Sequence, residues 1–97
     1  MNDLVETFYL DGYENIPENK PRAIELFQRA ADMGHDEAQG NLGVCYMTGN
    51  GVLQNAQQAV SWFEKAATQG HANSQKNLGM CYRDGDGVPA DVSKAIV

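Results

Sequence analysis

A block of sequence in the middle of the chain returns almost unchanged 36 residues later. Residues 41–52 read NLGVCYMTGNGV, and residues 77–88 read NLGMCYRDGDGV. When residues 23–61 are aligned with residues 59–97, 16 of the 39 positions are identical without a gap. A period of this length indicates stacked copies of one supersecondary unit, each of which buries its apolar face against its neighbours.

The first half of each unit has the pattern of a helix. Ala38, Leu42 and Tyr46 recur at a spacing of four residues and so share one helical face. Gly43 is a poor helix former that costs about 1 kcal/mol relative to alanine, so we expect another backbone to pack closely against it. Gly49 stands where a helix C-terminus favours a left-handed residue, and a Gly-x-Gly-Val turn follows. The pattern predicts a helix that ends at a tight turn.

The second half of each unit has a helix start signal. Asn19, Asn55 and Asp91 occupy the same repeat position, and each side chain can accept a hydrogen bond from an amide of the first helical turn. An Ala-x-x-x-Phe spacing and a pair of alanines follow in the two complete copies, and small residues allow neighbouring helices to approach. Gly34 and Gly70 stand where these helices should end. Each unit is therefore predicted to be a helix-turn-helix.

The predicted fold class is all-α, a right-handed helix-turn-helix α-solenoid of about two and a half units with antiparallel helix pairs. No segment alternates long enough with the period of a strand. We expect a single domain over residues 1–97, with units at about 1–35, 36–71 and 72–97, the last of them incomplete. The predicted helices span residues 3–12, 19–33, 36–48, 55–69 and 72–84, with a short helix from Asp91.

Charge and apolar patterning exclude several functional classes. The net charge is -6, from 7 basic and 13 acidic residues, which disfavours nucleic acid and anionic lipid as partners. No apolar run approaches the roughly 20 residues that cross a bilayer, so we expect no direct membrane insertion. The N-terminus lacks the basic start and apolar stretch of a signal peptide, which predicts a cytoplasmic location. Two cysteines are too few for a disulfide framework.

The combination of spacings resembles a known repeat family. Leu-Gly-x-x-Tyr and Ala-x-x-x-Phe are spacings of tetratricopeptide repeats, whose period is about 34 residues. The period of 36 residues, the Gly-x-Gly-Val turn and the stretches AVSWFEKAATQGH and AQGNLGVCY closely resemble the Sel-1-like repeat family of the tetratricopeptide-like superfamily. The resemblance covers nearly the whole chain. It implies a non-catalytic adaptor or scaffold that binds another protein or a peptide and needs no cofactor.

Two other functions stay open beside this one. The chain can also be interpreted as a regulatory or neutralising binding protein for one dedicated partner. A cysteine-rich branch of the family has been linked to β-lactam binding or hydrolysis, and that branch carries a cysteine pair in each repeat. This sequence departs from that pattern, since the second and third units have a single cysteine each, Cys45 and Cys81. A β-lactam-binding hydrolase is therefore the less favoured alternative.

Cysteines and histidines recur at equivalent repeat positions without forming a reactive pattern. Equivalent helices such as those of Cys45 and Cys81 lie at least about 8–10 Å apart, whereas a disulfide needs Cα atoms within about 7 Å. We predict two buried free thiols. Most of a helix separates His35 and His71 from the cysteines, so we interpret both as junction residues at a helix start rather than metal ligands. Neither Ser74 nor another serine is predicted to lie near a histidine and an acid that could activate it, so no catalytic site is expected. No metal site is expected either.

The face of each first helix that points away from the second helix is the best candidate for binding. By the resemblance, the first helices of a tetratricopeptide-like solenoid line a concave groove that takes a peptide or protein segment. A simpler interpretation is that these residues are solvated or lie between repeats. The residues of this stripe are Glu37, Asn41, Val44, Met47, Thr48, Asn73, Lys76, Asn77, Met80, Arg83 and Asp84.

The resemblance also implies roles within this stripe. An asparagine just before Leu-Gly is similar to the one that grips a peptide backbone or carboxylate, which points to Asn41 and Asn77. Lys76 and Arg83 would add positive charge for an acidic side chain or a chain terminus. Apolar residues of the stripe, such as Met80, would supply adaptable contact.

Two further features concern packing between units. Trp62 is expected to pack against the next repeat, and the alternative is an exposed anchor on the convex face. The third unit stops at Val97 before the aromatic residue of its second helix, so its first helix should expose a face that a repeat normally covers. A longer array, a homo-oligomer through this incomplete C-terminal repeat, or a partner that completes the fold would each cover that face.

Overall fold

The computed structural model describes residues 20–95, and this part of the chain is all-helical. Its helices are α1 (Lys20–Asp32), α2 (Asp36–Thr48), α3 (Ala56–Thr68), α4 (Ala72–Asp84) and the short α5 (Val92–Ala95). The all-α class is confirmed, and the predicted boundaries in this range agree to within one residue. The predicted helix at residues 3–12 lies outside the described residues. Within residues 20–95, no helix has the length and apolar character needed to cross a membrane.

The helices stack in chain order as a solenoid. α1 packs on α2, α2 on α3, α3 on α4, and α4 on α5. The first helices of two successive units, α2 and α4, also touch each other. They therefore lie side by side, while α3 packs against both.

Apolar side chains of successive units form two adjoining core clusters. Trp62 is 7% exposed and belongs to the first cluster, so it packs against the unit that precedes it. The expectation that Trp62 contacts the next repeat is wrong, and so is the convex anchor, because α3 presents this side chain to α1 and α2. The first cluster contains Ala23, Phe27, Ala30, Ala31, Ala38, Leu42 and Trp62, and the second contains Ala59, Val60, Phe63 and Cys81.

Local hydrogen bonds explain where the helices begin. The Nδ1 atom of His35 accepts from the Ala38 amide at 3.1 Å, so His35 caps α2. Asn55 caps α3, since its Oδ1 atom accepts from the Gln58 amide at 3.0 Å. Both bonds satisfy amides that a first helical turn leaves without a partner. The predicted roles of His35 and Asn55 are confirmed, whereas the cap predicted at Asn19 lies outside the described residues.

Glycines set the end of α2 and its closest contact with α3. Gly49, with φ of 74°, ends α2 in the left-handed region as predicted, and its amide donates to the Cys45 carbonyl at 2.8 Å. The ring of Phe63 occupies the space that a Cβ atom at Gly43 would need. The expectation of a neighbouring backbone at Gly43 is therefore wrong, because an aromatic side chain fills that space. At the equivalent Gly79 the neighbour is backbone, a carbonyl oxygen of α5 that lies 3.0 Å from the position of a Cβ atom.

Candidate functional site

The first helices of two successive units enclose a groove between α2 and α4. Of the eleven residues predicted for the binding stripe, ten line this groove. Arg83 does not line it but lines an adjoining depression of about 440 Å³ between α4 and α5, which Lys76 and Met80 also border. The ten groove residues are Glu37, Asn41, Val44, Met47, Thr48, Asn73, Lys76, Asn77, Met80 and Asp84.

The groove has two ends that differ in chemistry. The polar end has a volume of about 430 Å³ and lies by the N-terminal halves of α2 and α4, and the apolar end, of about 220 Å³, lies toward their C-termini. Val44 and Asn77 border both ends, so the two form one continuous surface. The polar end includes Glu37, Asn41, His71, Asn73, Ser74 and Lys76. The apolar end includes Val44, Met47, Phe63, Met80, Cys81 and Asp86.

A helix cap forms part of the wall of the polar end. His71 caps α4, and its Nδ1 atom accepts from the Ser74 amide at 3.3 Å and is hydrogen-bonded with the Ser74 hydroxyl at 2.8 Å. Ser74 is 1% exposed, so its hydroxyl is a buried cap partner rather than an accessible nucleophile. A Cβ atom at Gly40 would lie 2.7 Å from Ser74 Oγ, so glycine lets α2 approach the cap. Sequence reasoning missed this contact between Ser74 and His71, and the serine at the position that Ala38 holds in the preceding unit was the available signal.

Asn41 carries the one buried side-chain donor that lacks a partner in the part of the chain that the structure describes. Its Nδ2 atom is buried at the polar end and makes no hydrogen bond there. An unsatisfied buried donor of this kind costs about 1–3 kcal/mol. Because this atom is shielded from solvent, a carbonyl or carboxylate oxygen at the polar end reaches it only when the Asn41 side chain rotates toward the groove.

The apolar end presents large apolar side chains to solvent. Val44 is 43% exposed and Met80 is 42% exposed. Phe63 and Cys81 are buried beneath them and close the cavity from below. The Thr48 hydroxyl donates to the Val44 carbonyl at 2.8 Å, so it needs no partner from an occupant. This end can therefore take an apolar side chain.

Acidic residues lie at the apolar end, and one of them is ion-paired. Nε and Nη2 of Arg83 donate to the two carboxylate oxygens of Asp84 at 2.8 and 3.0 Å. These hydrogen bonds lower the pKa of Asp84 and raise the pKa of Arg83. Asp86 is exposed on the turn that follows. Arg83 is engaged by Asp84 of the groove, and Lys76 is the cation of the predicted stripe that the structure places at the polar end.

Both cysteines are free and buried, as predicted. Burial raises the pKa of the Cys45 thiol. Burial also raises the pKa of the Cys81 thiol, and the charges of Asp86 and Asp84 raise it further. The two carboxylates therefore act electrostatically on the apolar end. Within residues 20–95, no group of three histidine, cysteine or acidic side chains lies close enough to hold a metal ion.

The sequence matches a family model of the Sel1 repeat three times, at residues 7–35, 36–71 and 72–97. The chain belongs to the Sel1 repeat family. Sel1 repeats generally form protein–protein interaction modules and are typically non-catalytic. The family and the α-solenoid fold inferred from the sequence are thereby confirmed.

Two solved Sel1 repeat structures are similar to this chain in sequence and fold. The first is c5321, a protective antigen present in uropathogenic Escherichia coli strains, with 36% identity and a TM-score of 0.90 over 94% of this chain and 21% of that one. The second is a Sel1 repeat protein from Oxalobacter formigenes, with 31% identity and a TM-score of 0.91 over 94% of this chain and 40% of that one. The chain thus spans less than half the length of either. No match was found among curated proteins.

Proposed function

We propose that this Sel1 repeat chain is a non-catalytic interaction module, an adaptor or scaffold, that binds a protein or peptide segment in the groove between α2 and α4. The observation that carries this function is the buried Nδ2 donor of Asn41, which has no partner in the described chain. An occupant that supplies an acceptor, once the Asn41 side chain rotates toward it, removes the cost of about 1–3 kcal/mol that this donor imposes on the free fold.

The apolar surface beside this donor supports the same function. Val44 and Met80 are both exposed at the groove although they are large and apolar. Methionine adapts its shape to different partners, so Met80 suits a binding surface. Lys76 adds a positive charge near the donor, which favours a carboxylate or a carbonyl oxygen at the polar end.

Several broader expectations accompany this function. Residues 1–97 are proposed to form a single domain of Sel1 repeats. A cytoplasmic location and self-association through the incomplete C-terminal repeat stay predictions. A regulatory protein with one dedicated partner would use the same groove, and the number of partners captured separates that case from a general adaptor.

Affinity capture with groove variants tests this function. The tagged chain, the double variant Asn41→Ala/Asn77→Ala and the control Gln57→Ala are each incubated with a lysate of the source cells, and bound proteins are identified by mass spectrometry. Gln57→Ala is a suitable control because it truncates an exposed amide side chain of α3 outside the groove. We expect a partner that the wild type and the control retain and that the folded double variant loses. A partner retained equally by all three would place binding elsewhere on the molecule.

A further inference from the structure

The apolar end of the groove has the size of one side chain. Its cavity of about 220 Å³ is walled by Val44, Met47, Phe63, Met80 and Cys81. A protein cavity of about 150 Å³ holds a benzene ring. The apolar end therefore takes one large aliphatic or aromatic side chain, and a second apolar anchor would have to lie elsewhere.

The groove fits an extended segment better than an amphipathic helix. A helix in a groove uses an apolar stripe that continues over several turns. Here the apolar surface stops beyond Val44, where the groove continues with Asn41, His71 and Lys76. An extended chain carries unpaired backbone groups that need hydrogen-bond partners, and the polar end supplies them. One anchor with polar contacts on one side therefore suits an extended chain.

Charge is distributed unevenly along the groove. At the polar end, Glu37 and Lys76 have opposite signs. At the apolar end, Asp84 and Asp86 are both acidic, and the pKa of Cys81 at the base of the cavity is raised by burial and then further by their charges. Asp84 is already ion-paired, so Asp86 is the carboxylate that we expect to meet an incoming cation. The apolar end therefore favours an apolar side chain that is accompanied by a basic one.

Helix geometry sets the spacing of these contacts. Val44 and Met47 follow Asn41 by three and six residues, which is about 4.5–9 Å along a helix. Met80 lies four residues before the end of α4, which is about 6 Å, and the amide of Asp86 donates to the Cys81 carbonyl at 3.0 Å, which holds Asp86 at that end of the helix. An extended chain advances by about 3.3 Å per residue. The acceptor for Asn41 therefore lies one to three residues from the apolar side chain, and the basic side chain lies about two residues away on the other side.

We propose that the groove selects an extended protein segment that carries one large apolar residue and a lysine or arginine about two residues from it. The apolar side chain enters the cavity beside Met80, the basic side chain meets Asp86, and an acceptor on the other side bonds to the Asn41 amide. This inference rests on the proposed function, because it specifies the occupant of the same groove. The net charge of -6 favours a basic partner as well.

Peptide selection tests this specificity. A displayed library of random linear peptides is selected on the immobilised full chain, and the enriched peptides are synthesised with a fluorescent label for anisotropy titration. We expect the enriched sequences to share a large apolar residue with a lysine or arginine one to three positions away. Acidic residues at that position should be depleted.

Three variants separate the contributions to binding. Met80→Glu places a charge in the cavity and should weaken binding of the enriched peptides about tenfold or more. Asp86→Lys should weaken binding of the basic peptides about fivefold at low ionic strength. The same peptides with glutamate in place of the basic residue should bind Asp86→Lys better than they bind the wild type. Glu64→Lys makes the same change of charge at an exposed residue of α3 outside the groove and should alter neither affinity.

The results of these titrations separate this inference from the proposed function. Peptides that bind Met80→Glu and Asn41→Ala as tightly as the wild type would refute binding in the groove, and with it the proposed function. The inference alone would be overturned if the peptides need the groove but show no preference for lysine or arginine. It would also be overturned if Asp86→Lys does not reverse that preference. The absence of any enriched peptide would also overturn it, since it requires a linear segment.

Discussion

Replacing Asn41 with leucine should make the chain more stable and less able to bind. The buried Nδ2 atom of Asn41 has no partner, and leucine removes this penalty of about 1–3 kcal/mol. Leucine is also a better helix former by a few tenths of a kcal/mol. Imperfect packing of the branched side chain offsets up to about 1.5 kcal/mol of this gain. We expect a net stabilisation of about 1 kcal/mol, which raises the melting temperature by about 4–8 °C in a domain of this size.

The matched control for this substitution is Asn77→Leu. Asn77 occupies the same position in the next unit, so it shares the gain in helix propensity. Its side chain has no buried atom without a partner in the structure, so it lacks the penalty that leucine removes at position 41. Thermal and urea unfolding, followed by circular dichroism, compare the wild type with both variants. The difference between the two leucine variants isolates the contribution of the buried amide.

The binding measurement completes this prediction. Asn41→Leu should weaken an enriched peptide about tenfold, because a ligand acceptor that loses its donor is left unsatisfied in the groove. The reasoning that the Asn41 amide stays unpaired until an acceptor enters would be refuted by either of two results. The two leucine variants could be equally stable, or Asn41→Leu could be less stable than the wild type. If Asn41→Leu is stabilised and still binds the peptide as well as the wild type, the cost of the buried amide is supported, but a role of Asn41 in peptide recognition is rejected.

Three further predictions concern the scaffold. Gly43→Ala should destabilise the chain by about 2 kcal/mol in urea unfolding, because overpacking against the Phe63 ring costs about 3 kcal/mol and alanine recovers about 1 kcal/mol of helix propensity. The destabilisation by Gly43→Ala should be smaller in a chain that also carries Phe63→Leu. Simple addition of the two destabilisations would contradict a clash between residues 43 and 63. His71→Ala should cost about 1 kcal/mol because it removes a helix cap, whereas His71→Asn retains an acceptor and should cost less in the same assay. Burial raises the pKa of the Cys45 and Cys81 thiols, so the folded chain holds these protons more tightly than the unfolded chain does. This contribution to the free energy of unfolding is present below the usual pKa of a cysteine and is lost as the pH rises above it. Iodoacetamide should accordingly label the native thiols more slowly than the urea-unfolded ones, and equal rates would exclude protection by the fold.

The helix boundaries could be predicted from the sequence because they depend on neighbouring residues. Asn55 caps a helix through an amide three residues away, and Gly49 ends one through a carbonyl four residues away. Both signals return after 36 residues, as Asp91 and Gly85. A repeated local signal restricts the backbone before any tertiary contact forms, which is why the predicted boundaries agree with the structure.

Contacts between units could not be predicted in the same way. The neighbour of Gly43 is an aromatic ring from α3, and Trp62 contacts the preceding unit rather than the next one. Arg83 shares the predicted stripe but lines another depression, although its guanidinium pairs with Asp84 of the groove. The helical period predicts only approximately toward which side of a helix a side chain points. The rotation of each helix against its neighbours decides which residues that side chain contacts.

The repeat by itself determined the family, the all-α solenoid and most of the residues that line the groove. These follow from a period of 36 residues and from short-range signals that each unit carries. Only the tertiary structure decided that the Asn41 amide is left without a partner, and that the groove has a polar end and an acidic apolar end. Those properties involve side chains such as Asn41 and Asp86, which belong to different units. They share one surface only when α4 packs beside α2.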